Sequence, residues 1–373
     1  MCRGLYRPVR SELVPEFRDC ARRTGGVYYR PQHLQMKHQR TASRATRVSA
    51  PVLWLAALAC IWLAVPNAWN VHAQNGAAPA GEVETVQIRP NVYVLFGAGG
   101  NITVHTGADG AIVVDSGAAV MADAVLAAVQ RLKSQPIRYV VNTSADPDHV
   151  GGNDKLAAAG AAFNNNAQFN GAATADVVAR EEVLLRMSAP SGEQSPFPTA
   201  VWPTETFTQR VKSMYVNDDG VQIMHMPAAH SDGDSVVFFR RADVIATGDI
   251  VDLRRFPMID AARGGTVQGE IDALNSLLVL VIPPGPLVYK EGRTLLVPGH
   301  GRVADHAELV DYRDMVTVVR DIVDHSIKKG MSLPEIKASN PTAGFRAQYG
   351  SDTGPWTTEM FVEAVYNDLR GKH

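Results

Sequence analysis

Apolar and polar positions alternate over Thr85 to Phe96, and again over Asn101 to Thr106 and Ala111 to Val114 around glycine-rich turns. Successive side chains of a strand point to opposite faces, so this pattern predicts the antiparallel start of a sheet. Ala118 to Leu132 has apolar residues at helical spacing, and Ile137 to Val141 is a short β-branched strand that runs straight into the polar segment Asn142 to His149. A helix is predicted over Thr174 to Met187, followed by a Pro/Ser-rich loop through Pro203. Strands of antiparallel character are then expected at Val221 to Met226, Ser235 to Phe239 and Val244 to Thr247. Helices are expected at Val267 to Val281 and Glu308 to Lys328, with a strand at Leu295 to Val297 between them and a helical tail over Pro355 to Leu369. Strands and helices thus come in two similar successions, which predicts an α/β fold of two sheets packed face to face with helices outside.

The N-terminal region breaks this pattern. Ala50 to Val65 is continuously apolar, follows the basic run Lys37, Arg40, Arg44 and Arg47, and precedes Val71-His72-Ala73, a small-residue cleavage site. That arrangement predicts a signal peptide and a periplasmic or secreted product. The apolar run is shorter than the roughly 20 residues a membrane span needs, so no stable span is expected after cleavage. A start at Met36 would give a leader of ordinary proportions. The expected organisation is a basic leader and signal peptide over 1–73, a small-residue linker over 74–84, a catalytic-type domain over 85–320, and a helical extension over 321–373 packed on the same domain.

Charge and cysteine use sharpen this division. Of 36 basic and 38 acidic residues in the 373-residue chain, 11 basic and three acidic ones fall in residues 1–47, so the remainder carries about -10. That sign argues against a nucleic-acid partner. Cys2, Cys20 and Cys60 all precede the predicted cleavage site. The mature chain therefore has no disulfide framework, and any metal site must use His, Asp, Glu or water.

Candidate chemistry sits just beyond the predicted strands. Asp146, Asp148 and His149 crowd four positions after Ile137 to Val141 and precede Gly151-Gly152, glycines expected to let the backbone turn tightly. His230 lies in the polar loop Pro227 to Ser235, Asp249 at the end of the next strand in Ala246-Thr247-Gly248-Asp249, and His300 in Val297-Pro298-Gly299-His300-Gly301. In a layered sheet such strand ends gather along one edge. Asp115 closes Ala111 to Val114; His105 and His225 lie inside strand-like stretches, where a structural role is expected; Asp232, Asp234 and Asp252 are expected as loop residues, Asp252 near the same edge.

In their order and surroundings, the GG, HSDGDS, TGD and PGHG blocks included, these residues resemble the metallo-β-lactamase superfamily over about residues 85 to 320. The family pattern is H-x-H-x-D-H, a later His, a later Asp or Cys, and a last His. The resemblance implies a four-layer αββα sandwich and a metal-dependent hydrolase of a small-molecule substrate. It implies Asp148, His149 and His300 as ligands of one metal, Asp249 as a carboxylate bridging to a second, and Asp115 as an acid supporting the site from behind. The second site departs from the pattern: Ser144 and Asp146 stand where the family has two histidines, and only His230 matches outright.

Zinc is the implied metal, one site complete and the second eroded; a carboxylate at Asp146 favours harder ions such as manganese or iron. In the hydrolytic reading a metal-bound hydroxide attacks an ester, thioester, lactone or β-lactam, Asp148 or a neighbouring carboxylate orients the water and shuttles its proton, and His230, if released from metal duty, donates to the developing oxyanion. The stretch Phe256 to Gly265 and the helical C-terminal part look more like the hydrolase branch linked to periplasmic quinoprotein systems than like dedicated β-lactamases. The competing expectation, motivated by Ser144 and Asp146, is a non-catalytic binding or accessory protein on a degenerate metallohydrolase scaffold.

Overall fold

The computed structural model describes residues 81–132, 135–163, 174–190, 195–285 and 292–371. The predicted leader, the apolar segment, the three cysteines and all but the end of the linker lie outside the described residues. All described residues belong to one compact unit, Ala73–His373.

Its first half supplies β1 (Glu84–Arg89), β2 (Val92–Ala98), β3 (Gly100–Thr106), β4 (Ala111–Val114), α1 (Ala122–Leu132), β5 (Ile137–Val141), α2 (Pro147–Val150), α3 (Asn153–Ala158), β6 (Asp176–Arg180), α4 (Glu181–Ser188) and β7 (Glu205–Phe207). The seven strands form one sheet in sequence order. Pairing is antiparallel from β1 to β4 and parallel from β4 to β7, where α1 and α4 fall between consecutive strands. The second half supplies β8 (Val211–Val216), β9 (Asp219–His225), β10 (Ser235–Phe239), β11 (Val244–Asp252), α5 (Val267–Leu280), β12 (Leu295–His300), α6 (His306–Lys328), α7 (Leu333–Ala338), α8 (Arg346–Tyr349) and α9 (Thr358–Arg370). These five strands form a second sheet in the order β12-β11-β10-β9-β8, parallel only between β11 and β12.

Strand alternation builds the layers. On β4, Ile112 and Val114 face the second sheet, where they join Val237, Val244 and Val297, whereas Ala111 and Val113 face Val125 and Val129 of α1 and Leu156 of α3. On the other sheet Val244 and Ala246 point inward, and Ile245, with Val236 and Leu296, packs on Leu274 and Leu277 of α5, Tyr312 and Met315 of α6, and Phe361 and Val365 of α9. Each such buried aliphatic side chain stabilises the fold by about 1.5–3 kcal/mol relative to exposure. The result is the helix, sheet, sheet, helix layering expected. Asp305 and Glu308 form a reciprocal capping box that starts α6, and Thr266 caps α5 by accepting from the Gly269 N–H.

Several local expectations are corrected. Asp176–Arg180 is a strand, not the first turns of a helix from Thr174; helix begins only at Glu181. The apolar run Val177-Val178-Ala179 carries no periodicity that separates strand from helix, and backbone pairing with β5 and β7 decides for strand. Thr85 to Phe96 is a hairpin of two strands, and β7 and β8 were not anticipated. β11 runs past Asp249 to Asp252: Gly248 pairs with Pro298 and Asp252 with His300, so four steps on β11 oppose two on β12 and the excess backbone bulges between Gly248 and Asp252. Among the described residues no helix is long and apolar enough to cross a membrane.

Candidate metal centre

The strand ends converge as the layers require. Asp115 follows β4 with φ 65°, the left-handed region that a non-glycine residue enters only when its surroundings hold it there. Its backbone N–H donates to the Val141 carbonyl at 2.7 Å, and its carboxylate accepts from the Thr143 N–H at 2.8 Å and the Thr143 hydroxyl at 2.7 Å. The loop after β5 is thereby tied to the end of β4. Asn142 and Asn153 exchange side-chain amide bonds at 3.0 and 2.9 Å, closing that loop over α2, which begins with Pro147 and carries Asp148 and His149.

Gly151 and Gly152 serve packing rather than turning. Their φ values of -66° and -98° are open to any residue, but a Cβ would stand 2.3 Å from the Ala119 nitrogen at Gly151 and 2.4 Å from the Ser116 oxygen at Gly152. This replaces the tight-turn reason expected for them.

Two groups of candidate ligands result, Asp148 with His149 and His300, and Asp146 with His230 and Asp249, the ligand atoms within each lying within 4.8 Å of one another. Asp249 faces both. Its Oδ1 lies 3.2 Å from His149 Nε2 and 3.3 Å from His300 Nε2, and its Oδ2 lies 4.0 Å from His230 Nε2. Asp148 Oδ2 lies 3.3 Å from His300 Nε2. His149 donates from Nδ1 to Asp115 Oδ2 at 2.7 Å, which turns Nε2 toward Asp249 and His300. Yet His149 Nε2 and Asp249 Oδ1 are both buried without a hydrogen-bond partner. Buried polar atoms that face one another without bonding are costly. Two imidazoles and two carboxylates aimed at one point are resolved by a shared divalent cation, and the first group, completed by Asp249, fits one.

The electrostatics agree. Burial opposes charge on His149, but the carboxylates of Asp249 and Asp115 outweigh it and hold its pKa well above the ordinary value. Burial likewise opposes charge on Asp249, and His149 and His300 overcome it, keeping that carboxyl well below the usual range. Opposite charges thus face each other at this point, and a bound divalent cation would take the place of the imidazole protons.

The second group is built differently. His230 Nε2 and Asp146 Oδ2 share a hydrogen bond of 3.0 Å. The Ser144 hydroxyl donates to the same Oδ2 at 3.3 Å and accepts from the Asp146 N–H at 3.2 Å, and Arg263 Nη2 donates to Asp146 Oδ1 at 2.5 Å. Sequence reasoning missed Arg263, which lies 117 residues from Asp146, although the stretch Phe256 to Gly265 that carries it stood out by resemblance.

The remaining candidates take structural posts. His105 is buried, bonds Asn91 at 2.8 Å and stacks on Phe239, and His225 Nε2 donates to the Asp232 carbonyl at 2.8 Å. Asp232 pairs with Arg186, and Asp234 accepts from the Ser231 N–H and hydroxyl. Asp252 pairs in the ladder with His300, while its carboxylate holds the Arg254 N–H and Arg255 Nε at 2.9 and 2.6 Å. Sequence reasoning also missed Glu270 on α5, fully buried with neither carboxylate oxygen partnered.

The chain is similar to known proteins in sequence profile and in fold. The family profile described as the Metallo-beta-lactamase superfamily matches residues 95–312. Among solved structures, the stereoselective inverting sec-alkylsulfatase Pisa1 from Pseudomonas sp. superposes with TM-score 0.55 at 17% identity, over 78% of this chain and 51% of its own. This chain therefore spans about half that enzyme's length. A metallo-beta-lactamase from Pontibacter korlensis matches at 16% identity and TM-score 0.47, over 63% of this chain and 99% of its own. No curated protein sequence matches.

Proposed function

The chain belongs to the metallo-β-lactamase superfamily, and we propose that it is an exported metal-dependent hydrolase cleaving an ester, thioester, lactone or β-lactam bond of a small molecule. The observation that carries this reading is the convergence of Asp148, His149, His300 and Asp249, with His149 Nε2 and Asp249 Oδ1 unpartnered at its centre. A bound zinc ion would supply Lewis acidity and bring the pKa of water to about 7; the carboxylates also suit manganese or iron.

The protein's own residues orient the reaction. Asp115 and Thr143 fix the His149 ring, and β11 and β12 present Asp249 and His300 from the opposite sheet. Asp148, with a side chain 33% exposed, is the most open of the four and is placed to hold the proton of an attacking water. His230 is 1% exposed and engaged by Asp146, so donation to an oxyanion requires that bond to be released. Export is supported by the apolar segment and cleavage signal before Gln74.

The test is metal content and turnover together. Protein purified without chelator should hold one tight equivalent and hydrolyse at least one of a chromogenic β-lactam, thioester, lactone or sulfate ester. Both properties should vanish in His300→Ala. Near-zero metal would sink the hydrolase reading and favour a binding protein on this scaffold.

A further inference from the structure

We propose that Arg263 stands in for the second metal ion of this centre, a guanidinium locked onto Asp146, so that the chain holds a single metal. The inference rests on the metal-centre reading above and concerns the half of the centre where the residues do not fit a metal.

The two halves differ in hydrogen bonding. In the first, His149 Nε2 and Asp249 Oδ1 lie 3.2 Å apart, both buried without a hydrogen bond. In the second, both Asp146 oxygens are satisfied: Oδ1 by Arg263 Nη2 at 2.5 Å, Oδ2 by His230 Nε2 at 3.0 Å and by the Ser144 hydroxyl at 3.3 Å. Ser144, neutral and turned to Asp146, leaves this half with three candidate ligands, of which Asp249 is shared. Guanidinium is charged at every accessible pH and pairs with a carboxylate through directed N–H groups, so a metal on Asp146 would meet a permanent cation on the same carboxylate.

Arg263 is also held in place before any ligand arrives. Its Nε donates to Asp260 Oδ2 at 2.6 Å, and only 23% of its side chain is exposed. The turn that carries it is stitched to the His230 loop by the Asp260 N–H on the His230 carbonyl at 2.9 Å and the Asp232 N–H on the Arg263 carbonyl at 2.8 Å. Gly265 permits this approach, since a Cβ there would stand 2.1 Å from the His230 oxygen. The guanidinium is therefore a built part of the centre and not a surface side chain resting on it.

The experiment is a count of zinc per chain by elemental analysis after dialysis, on wild type, Arg263→Met, Arg263→Lys and Arg263→Gln, each checked for fold by circular dichroism. Wild type and Arg263→Lys, which keeps the cation, are expected at one equivalent, and Arg263→Met at two. Arg263→Gln keeps a donor without the charge, is also expected at two, and serves if the Met variant does not fold. One equivalent in both neutral variants overturns the proposal while leaving the hydrolase reading intact. Two equivalents in wild type, falling to one in Arg263→Met, overturn it in the opposite sense, making Arg263 a support for a second ligand. Zero in wild type overturns both readings.

Discussion

Asp115 Oδ2 accepts from His149 Nδ1 at 2.7 Å, across 34 residues of sequence, and so decides which imidazole nitrogen faces the metal position. Loss of such an orienting carboxylate typically costs 10–100-fold in metal affinity. Asp115→Asn, which keeps an oxygen for Thr143, is expected to weaken zinc binding by roughly that factor while leaving the fold in place. Competition with a chromophoric chelator measures it, and an unchanged affinity would show that His149 needs no such support.

Metal binding should stabilise the fold, because the ligands come from both sheets and meet only in the folded state. At about 100 times its Kd a metal adds roughly 2.7 kcal/mol. Removal by chelator should therefore lower the melting temperature of wild type and change nothing in His149→Ala. Equal shifts in both proteins would place the tight metal elsewhere.

Restoring the family's histidine pair tests the second half of the centre. In Ser144→His, Asp146→His the guanidinium loses its carboxylate but keeps its charge, so this double variant is expected to remain near one zinc per chain. Adding Arg263→Met should take the count to two. A double variant that already binds two would show that Ser144 and Asp146 alone account for the loss.

Glu270 makes stability pH-dependent. Burial, reinforced by the negative charges of Asp234 and Asp249, raises its pKa well above the ordinary carboxylate value. A folded-state pKa above the unfolded one means that the contribution is full below the unfolded pKa and is lost as pH rises through the folded one. Glu270→Gln escapes this loss, so its stability relative to wild type should improve steadily as pH rises above the unfolded carboxyl's pKa and level off only once the folded pKa is passed. Paired denaturant melts from pH 5 to pH 9 check this; a constant difference would mean that the pKa of Glu270 is not raised on folding.

Much of the fold could be read from the chain itself, because hydrophobic periodicity is a local property. Ile137–Val141 and Ser235–Phe239 are strands with the bounds expected, and Val267–Leu280 and His306–Lys328 are helices within two residues of expectation. The error at Asp176–Arg180 came from a short, wholly apolar run in which periodicity says nothing.

The sequence by itself determined the layered fold and the set of side chains brought to one edge, since a ligand type placed after a strand keeps its position whatever that strand pairs with. It also carried the departure at Ser144 and Asp146. Only the tertiary structure decided what each side chain meets: Asp115 with His149, Asp146 with Arg263, and Glu270 with nothing. These are contacts, or the lack of them, between segments up to 117 residues apart. Their energies depend on angles and burial that arise when the two sheets close, and no spacing along the chain encodes them.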